Sequence, residues 1–153
     1  VDEKPTDSFL YMLAMNTFTM NTSMNPFENT LSSDKLFNKQ AEVIQEIADK
    51  DDCIIVGRCA GYILRDEPKC VRIYISADKD FRTKRIMASD HLDEKEAQKK
   101  IHSMDKKRDS YFGYYAGQDW KACHTYDLSI STSSLGIDKA VDLTCQYIDI
   151  KFK

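Results

Sequence analysis

The chain has 153 residues, 31% of them charged and 42% apolar, with 22 basic side chains against 25 acidic ones and a net charge of −3. A chain of this length fits one domain and buries about 68–70% of its unfolded surface, and it is too apolar to be disordered. The acidic balance argues against a general nucleic-acid binder, which needs a basic face to displace counterions.

The first apolar stretch, Phe9 to Met15, follows Asp2, Glu3 and Asp7 rather than a basic region. It is too short to span a bilayer, so it reads as neither signal peptide nor membrane anchor. Ser8 caps a short helix through Met15, and Asn16 to Ser33 reads as a long loop. The sequon Asn21-Thr22-Ser23 within it reads as chance in a cytoplasmic protein. Leu36, Phe37, Ala41, Ile44, Ile47 and Ala48 form a helical stripe over 34–50. Asp51-Asp52 end that helix, and Cys53 to Val56 reads as a strand that is apolar on both faces, as in a buried parallel sheet.

Gly57-Arg58 then breaks the run, the small residues Cys59-Ala60-Gly61 make a turn, and Tyr62-Ile63-Leu64 leads away as a short helix. A second strand is predicted over Val71–Ile75. Asp78 is placed to cap the next helix, which carries Phe81, Arg82, Arg85, Ile86 and Met87. Asp93 and Glu96 make a capping-box signal for a further helix with Ala97, Ile101, Met104 and Arg108 on neighbouring turns. Aromatic residues crowd its end at Tyr111, Phe112, Tyr114 and Tyr115. A third strand is predicted over Tyr126–Ser131 and a closing helix over Ile137–Ile150, its apolar face formed by Ala140, Val141, Thr144, Cys145 and Ile148.

Strands alternating with helices predict a mostly parallel sheet between helical layers, with ligands bound beyond the C-terminal strand ends. Arg58 lies in that zone. So does Arg82-x-x-Arg85, and Asp105-x-x-Arg108 shares a face of the following helix. Singly, each is most often a solvated charge or a surface ion pair. Together they are three arginine-bearing clusters on three elements that such a sheet brings to one edge. Phosphoryl chemistry calls for this, because guanidinium groups neutralise phosphate oxygens bidentately without titrating. The five cysteines form no C-x-x-C pair and read as reduced thiols, with Cys53 and Cys145 as small core residues. His91, His102 and His124 lack ligand spacing, so no metal site is predicted.

Val56-Gly57-Arg58, Asp78-x-x-x-Arg82-x-x-Arg85, Asp105-x-x-Arg108, Tyr126-Asp127-Leu128 and Leu135-Gly136-Ile137-Asp138 resemble, in order and spacing, the cytidylate kinase-like family. This is a nucleoside monophosphate kinase branch of the P-loop kinases. The resemblance runs from about Ser8 to Ile150. It implies a three-layer α/β/α, P-loop NTPase-like fold and ATP-dependent phosphoryl transfer to a nucleoside monophosphate, with Mg²⁺ bridging the donor phosphates. It implies that Gly57 and Arg58 hold the acceptor phosphate, that Asp105 and Arg108 meet the acceptor nucleotide, and that Arg82 and Arg85 face the transferring phosphates. Residues 89–116 would then form a lid-like segment within a single kinase-like domain over 1–153. The aromatic cluster Tyr111–Tyr115 could stack on a base. Alternatives are a non-catalytic nucleotide-sensing or interaction module, or a kinase of another small molecule.

Two features depart from the family pattern. Val56 stands where cytidylate kinases commonly carry an acidic residue, which leaves the acceptor base open. No G-x-x-x-x-G-K-[ST] occurs in the chain, and Val1 is not an initiator methionine. The expectation is therefore a chain truncated at its N-terminus, without the strand that sits between Cys53–Val56 and Val71–Ile75. Those two strands would then pair directly, or a homodimer or strand exchange would complete the sheet. A chain standing alone with that slot open would not be a stable folded fragment.

Overall fold

The computed structural model describes residues 26–153, and side chains from Ser33 onward. The expected Ser8–Met15 helix, the sequon and the first part of the 16–33 loop lie outside these residues. The chain divides into two compact units, Val1–Gln40 and Ala41–Lys153. The described part of the first is helical throughout, belonging to α1 (Pro26–Lys50). Pro26–Ser33, expected as loop, is thus helix, because proline at a first helical position gives up only an N–H that would have no intrahelical partner.

In the second unit follow α2 (Ala60–Ile63), β1 (Ile73–Ser76), α3 (Lys79–Asp90), α4 (Glu94–Ala116), β2 (Leu128–Ser131), α5 (Thr132–Leu135) and α6 (Ile137–Lys151). The result is a mixed α/β protein, mostly helical, with a small parallel sheet. β1 and β2 pair in register from Ile73 opposite Leu128 to Ser76 opposite Ser131. Local signals fix the helix starts. Asp78 accepts from the Phe81 N–H at 3.0 Å to cap α3. Asp93 and Glu96 close a reciprocal box at 2.8 and 3.1 Å to start α4, which satisfies donors that would otherwise have no partner. Gly117, in the left-handed region, ends α4 with its N–H on the Gly113 carbonyl at 3.0 Å. Among the described residues, Ile44, Cys59, Ala60, Ala97, Ile101, Ala116, Ile130 and Ala140 are the buried apolar side chains.

A bidentate ion pair ties the entrances of the two strands. Asp127 Oδ2 accepts from the Arg72 backbone N–H at 2.7 Å and from Nε at 3.1 Å, and Oδ1 accepts from Nη2 at 3.2 Å. The third strand accordingly starts at Leu128 rather than Tyr126, since Asp127 is spent on this lock. Hydrogen bonds from Arg72 hold the Asp127 carboxyl below its ordinary range. A carboxyl depressed in the folded state stabilises the fold above its unfolded value of about 3.9, and that contribution disappears as pH falls through the folded value. The unfolding midpoint should therefore drop between about pH 5 and pH 3, and Asp127→Asn should drop less over the same window. An equal pH slope in both proteins would remove Asp127 as the source.

Three expectations are corrected. Cys53–Val56 forms no strand: its backbone enters no ladder among the described residues, and Ile54 and Val56 are 97% and 89% exposed. Its direct pairing with the Val71–Ile75 region is not formed either, and β1 pairs only with β2. Ile75, 64% exposed, leaves β1 with an uncovered apolar side chain. An apolar extended segment becomes a strand only when a neighbour takes its N–H and C=O groups, and the described residues supply none. Among the described residues the sheet therefore has two strands, β1 and β2. Cys53 and Cys145 are exposed and Cys59 is the buried thiol; both expected core cysteines sit on surfaces that no described element covers. The closing helix likewise buries Ala140 but leaves Val141 55% exposed.

Candidate functional site

Gly57, Arg58 and Cys59 all have positive φ, at 79°, 52° and 55°. Glycine adopts this region freely, but two successive side-chain-bearing residues there cost of order 1–3 kcal/mol each unless the surroundings enforce them. The enforcement is visible. Cys59 is buried, the Gly57 carbonyl accepts from the Ala60 N–H at 3.0 Å, and the Cys59 carbonyl accepts from Tyr62 and Ile63 at 2.9 Å each. Burial pushes the Cys59 thiol up to about 11 despite the neighbouring Arg58 guanidinium, so it is a packed group rather than a nucleophile. The turn sends the Arg58 guanidinium over the Tyr111 ring of α4, 5.9 Å from its centroid.

One to two turns back along α4, Asp105 receives both terminal nitrogens of Arg82 from α3, each at 2.7 Å. Arg108 approaches the same carboxylate at 3.5 Å. Hydrogen bonds from Arg82, with the charges of Arg82, Arg108 and Lys121, hold the Asp105 carboxyl below its ordinary range. The expected face-sharing of Asp105 and Arg108 is present. The cross-helix partnership with Arg82 was not foreseen, and it joins two clusters that the sequence showed as separate. Arg85 is exposed and makes no ion pair among the described residues, so of the Arg82/Arg85 pair only Arg82 joins the cluster.

At the C-terminal ends of both strands, small polar side chains knit the sheet to α3. Asp78 donates its backbone N–H to Ser133 Oγ at 3.2 Å, Ser131 and Ser133 hydroxyls meet at 3.0 Å, and Thr132 Oγ1 donates to the Ser76 carbonyl at 3.1 Å. Tyr74 meets Tyr126 in a tilted contact and Trp120 edge to face, with centroids 5.1 and 5.7 Å away. Tyr115 bridges Tyr111 and Tyr114 at 4.8 Å to each. The helix α4 therefore gathers arginines from the α2 turn and from α3 on one element.

This arrangement defines a mixed α/β protein in which Arg58 and Arg82 both reach the helix α4. The chain belongs to the cytidylate kinase-like family, which matches residues 1–134. It is 27% identical over 111 residues to a cytidylate kinase of Methanoculleus marisnigri, covering 72% of this chain and 59% of that protein. It is 30% identical over 110 residues to a cytidylate kinase of Sulfolobus acidocaldarius, covering 72% and 60%. The chain thus spans about 60% of the length of these curated relatives. A crystal structure of an uncharacterized protein from Eubacterium ventriosum superposes with a TM-score of 0.73 at 36% identity, covering 76% of this chain and 73% of that one.

Proposed function

We propose that the protein is a nucleotide kinase that transfers a phosphoryl group from ATP to a nucleoside monophosphate, and that the described residues form its acceptor side. The observation that carries this reading is the strained Gly57-Arg58-Cys59 turn, which spends conformational energy to hold a guanidinium against the helix that bears Asp105 and Arg108. In this role Arg58 binds the acceptor phosphate, Asp105 and Arg108 meet the acceptor nucleotide, and Arg82 neutralises charge on the transferring group. Arg85, exposed beside it, would join only once phosphates are present. The reading places the chain in a three-layer, P-loop NTPase-like fold in which a further strand fills the space beside β1, and the exposed Ile54, Val56 and Ile75 are the apolar residues it would cover. That strand would come from the rest of the polypeptide or from strand exchange in a dimer.

The described residues contain no group of three or more His, Cys, Asp or Glu placed to hold a metal. Mg²⁺ would arrive on the donor phosphates, as is general in phosphoryl transfer, and no residue of this chain is assigned to it. No helix among the described residues is long and apolar enough to cross a membrane.

The test is ADP release by the full-length gene product with CMP, dCMP, UMP and AMP as acceptors. Turnover that requires one of these monophosphates is the expected result. The second reading is a non-catalytic nucleotide-sensing module. No turnover with any acceptor would select it.

A further inference from the structure

We propose that Tyr111 is a positioning residue for the acceptor site: its ring holds the Arg58 guanidinium in place without neutralising it, which leaves the charge and most of the N–H groups of Arg58 for a phosphate. The role toward an acceptor rests on the kinase reading above; the hold of the ring on the turn does not.

The choice of partner sets Arg58 apart. Arg65, Arg72, Arg82 and Arg108 each lie 2.7 to 3.5 Å from a carboxylate. Arg58 makes no ion pair among the described residues, and it meets the Tyr111 ring instead. A carboxylate in that place would cancel the guanidinium charge and take the same pair of N–H groups that a phosphate needs. An aromatic ring orients the guanidinium and leaves its charge in place. Burial, followed by the influence of Cys59, pushes the Tyr111 phenol up, while the charge of Arg58 and a hydrogen bond from it act the other way. The ring is therefore a neutral phenol at ordinary pH.

Tyr111 is itself fixed. It is half-buried, and Tyr115, one turn further along α4, meets it at 4.8 Å between centroids. A fixed ring against a turn with positive φ at Arg58 and Cys59 limits two freedoms at once: that of a long side chain, and that of a backbone region which residues other than glycine leave readily. Ordering the guanidinium before a ligand arrives keeps that entropy from being lost on binding.

The experiment compares Tyr111→Leu with Tyr111→Phe in the full-length gene product, each with Arg58 intact and with Arg58→Ala. Leucine keeps an apolar side chain but removes the ring, so kcat/KM for the accepted monophosphate should fall about ten- to thirtyfold. Phenylalanine keeps the ring and should lose no more than about threefold, the effect of the hydroxyl hydrogen bond alone. In the Arg58→Ala background, Tyr111→Leu should lower kcat/KM by less than about twofold, because the group it positions is gone. Additive losses would overturn the proposal and make Tyr111 an independent contact, as a ring stacked on the acceptor base would be. Equal losses in the leucine and phenylalanine variants would overturn it as well.

A second readout needs no turnover. Cys59 is buried in the turn with its thiol protonated. Its alkylation by iodoacetamide, followed by peptide mass mapping, should quicken at least about tenfold in Tyr111→Leu and stay within about twofold of the wild type in Tyr111→Phe. Cys70, half-buried and outside the turn, is the reference, and a parallel rise there would report general loosening and overturn the local assignment. Unchanged kcat/KM in Tyr111→Leu would refute the positioning role and leave the kinase reading intact. Cys59 labelling that follows the ring in a protein that turns over no monophosphate would overturn the acceptor role together with the kinase reading, while the hold on the turn stands.

Discussion

Arg58→Ala is expected to lower kcat/KM for the acceptor monophosphate by about 10²–10³-fold, the usual loss when one preorganised donor to a reacting oxyanion is removed. Equal turnover by the wild type and the variant would refute the role of Arg58. The backbone at this position offers a sharper control. Arg58 sits at φ 52°, a region that glycine occupies without strain, so Arg58→Gly removes the guanidinium while relieving the turn. The glycine variant should be at least as inactive as the alanine one and no less stable to heat. Arg58→Lys should recover part of the binding but little of the rate, because an ammonium cannot bridge two phosphate oxygens in a plane. If activity instead tracked thermal stability across the three variants, Arg58 would be a packing residue and the acceptor site would lie elsewhere.

Asp105→Ala carries the second large effect, on stability as well as on function. It strips the partner from Arg82, whose side chain is about one-third exposed, and frees Arg108. Leaving a partly buried guanidinium unpaired costs roughly 1–3 kcal/mol, below the figure for a fully buried pair because water reaches both groups. The double-mutant cycle with Arg82→Ala should return a coupling of about 1–2 kcal/mol. Additive losses would mean that the two 2.7 Å hydrogen bonds contribute no net energy.

The features legible from sequence are those decided within one turn of chain. Asp78 and the Asp93/Glu96 box announce helix starts because a side chain reaches a backbone N–H three residues on, and both caps are present. The alternation of Tyr126, Leu128 and Ile130 likewise located β2 to within two residues. What was hidden depends on distant partners. Arg82 and Asp105 are 23 residues apart, and Arg72 and Asp127 are 55 apart. Nothing in either local sequence marks them as mates, although an Asp at the mouth of one strand and an Arg at the mouth of its neighbour is a pattern worth seeking. Cys53–Val56 shows the same limit from the other side. Its composition is that of a buried strand, but strand formation belongs to a pair of segments, and composition describes only one of them. Arg58 and Arg82 both reach α4, but not by the expected route, because the strand that was to carry Arg58 to the sheet edge is not formed; the roles assigned to them come from the family resemblance.

The length of α4 has a mechanical consequence. Glu94 to Ala116 is one uninterrupted helix whose early turns bury Ala97 and Ile101, whose middle bears Asp105, and whose later part supports Arg58 through Tyr111. Tyr111 lies 17 residues beyond Glu94, a lever arm of about 26 Å at 1.5 Å per residue, so a tilt of only about 10° about the capped end would sweep it through roughly 4–5 Å. That displacement is enough to separate Arg58 from its ring. One rigid helix thus carries both the partner of Arg82 and the support of Arg58, and rotation about its capped end would move Tyr111 further than Asp105.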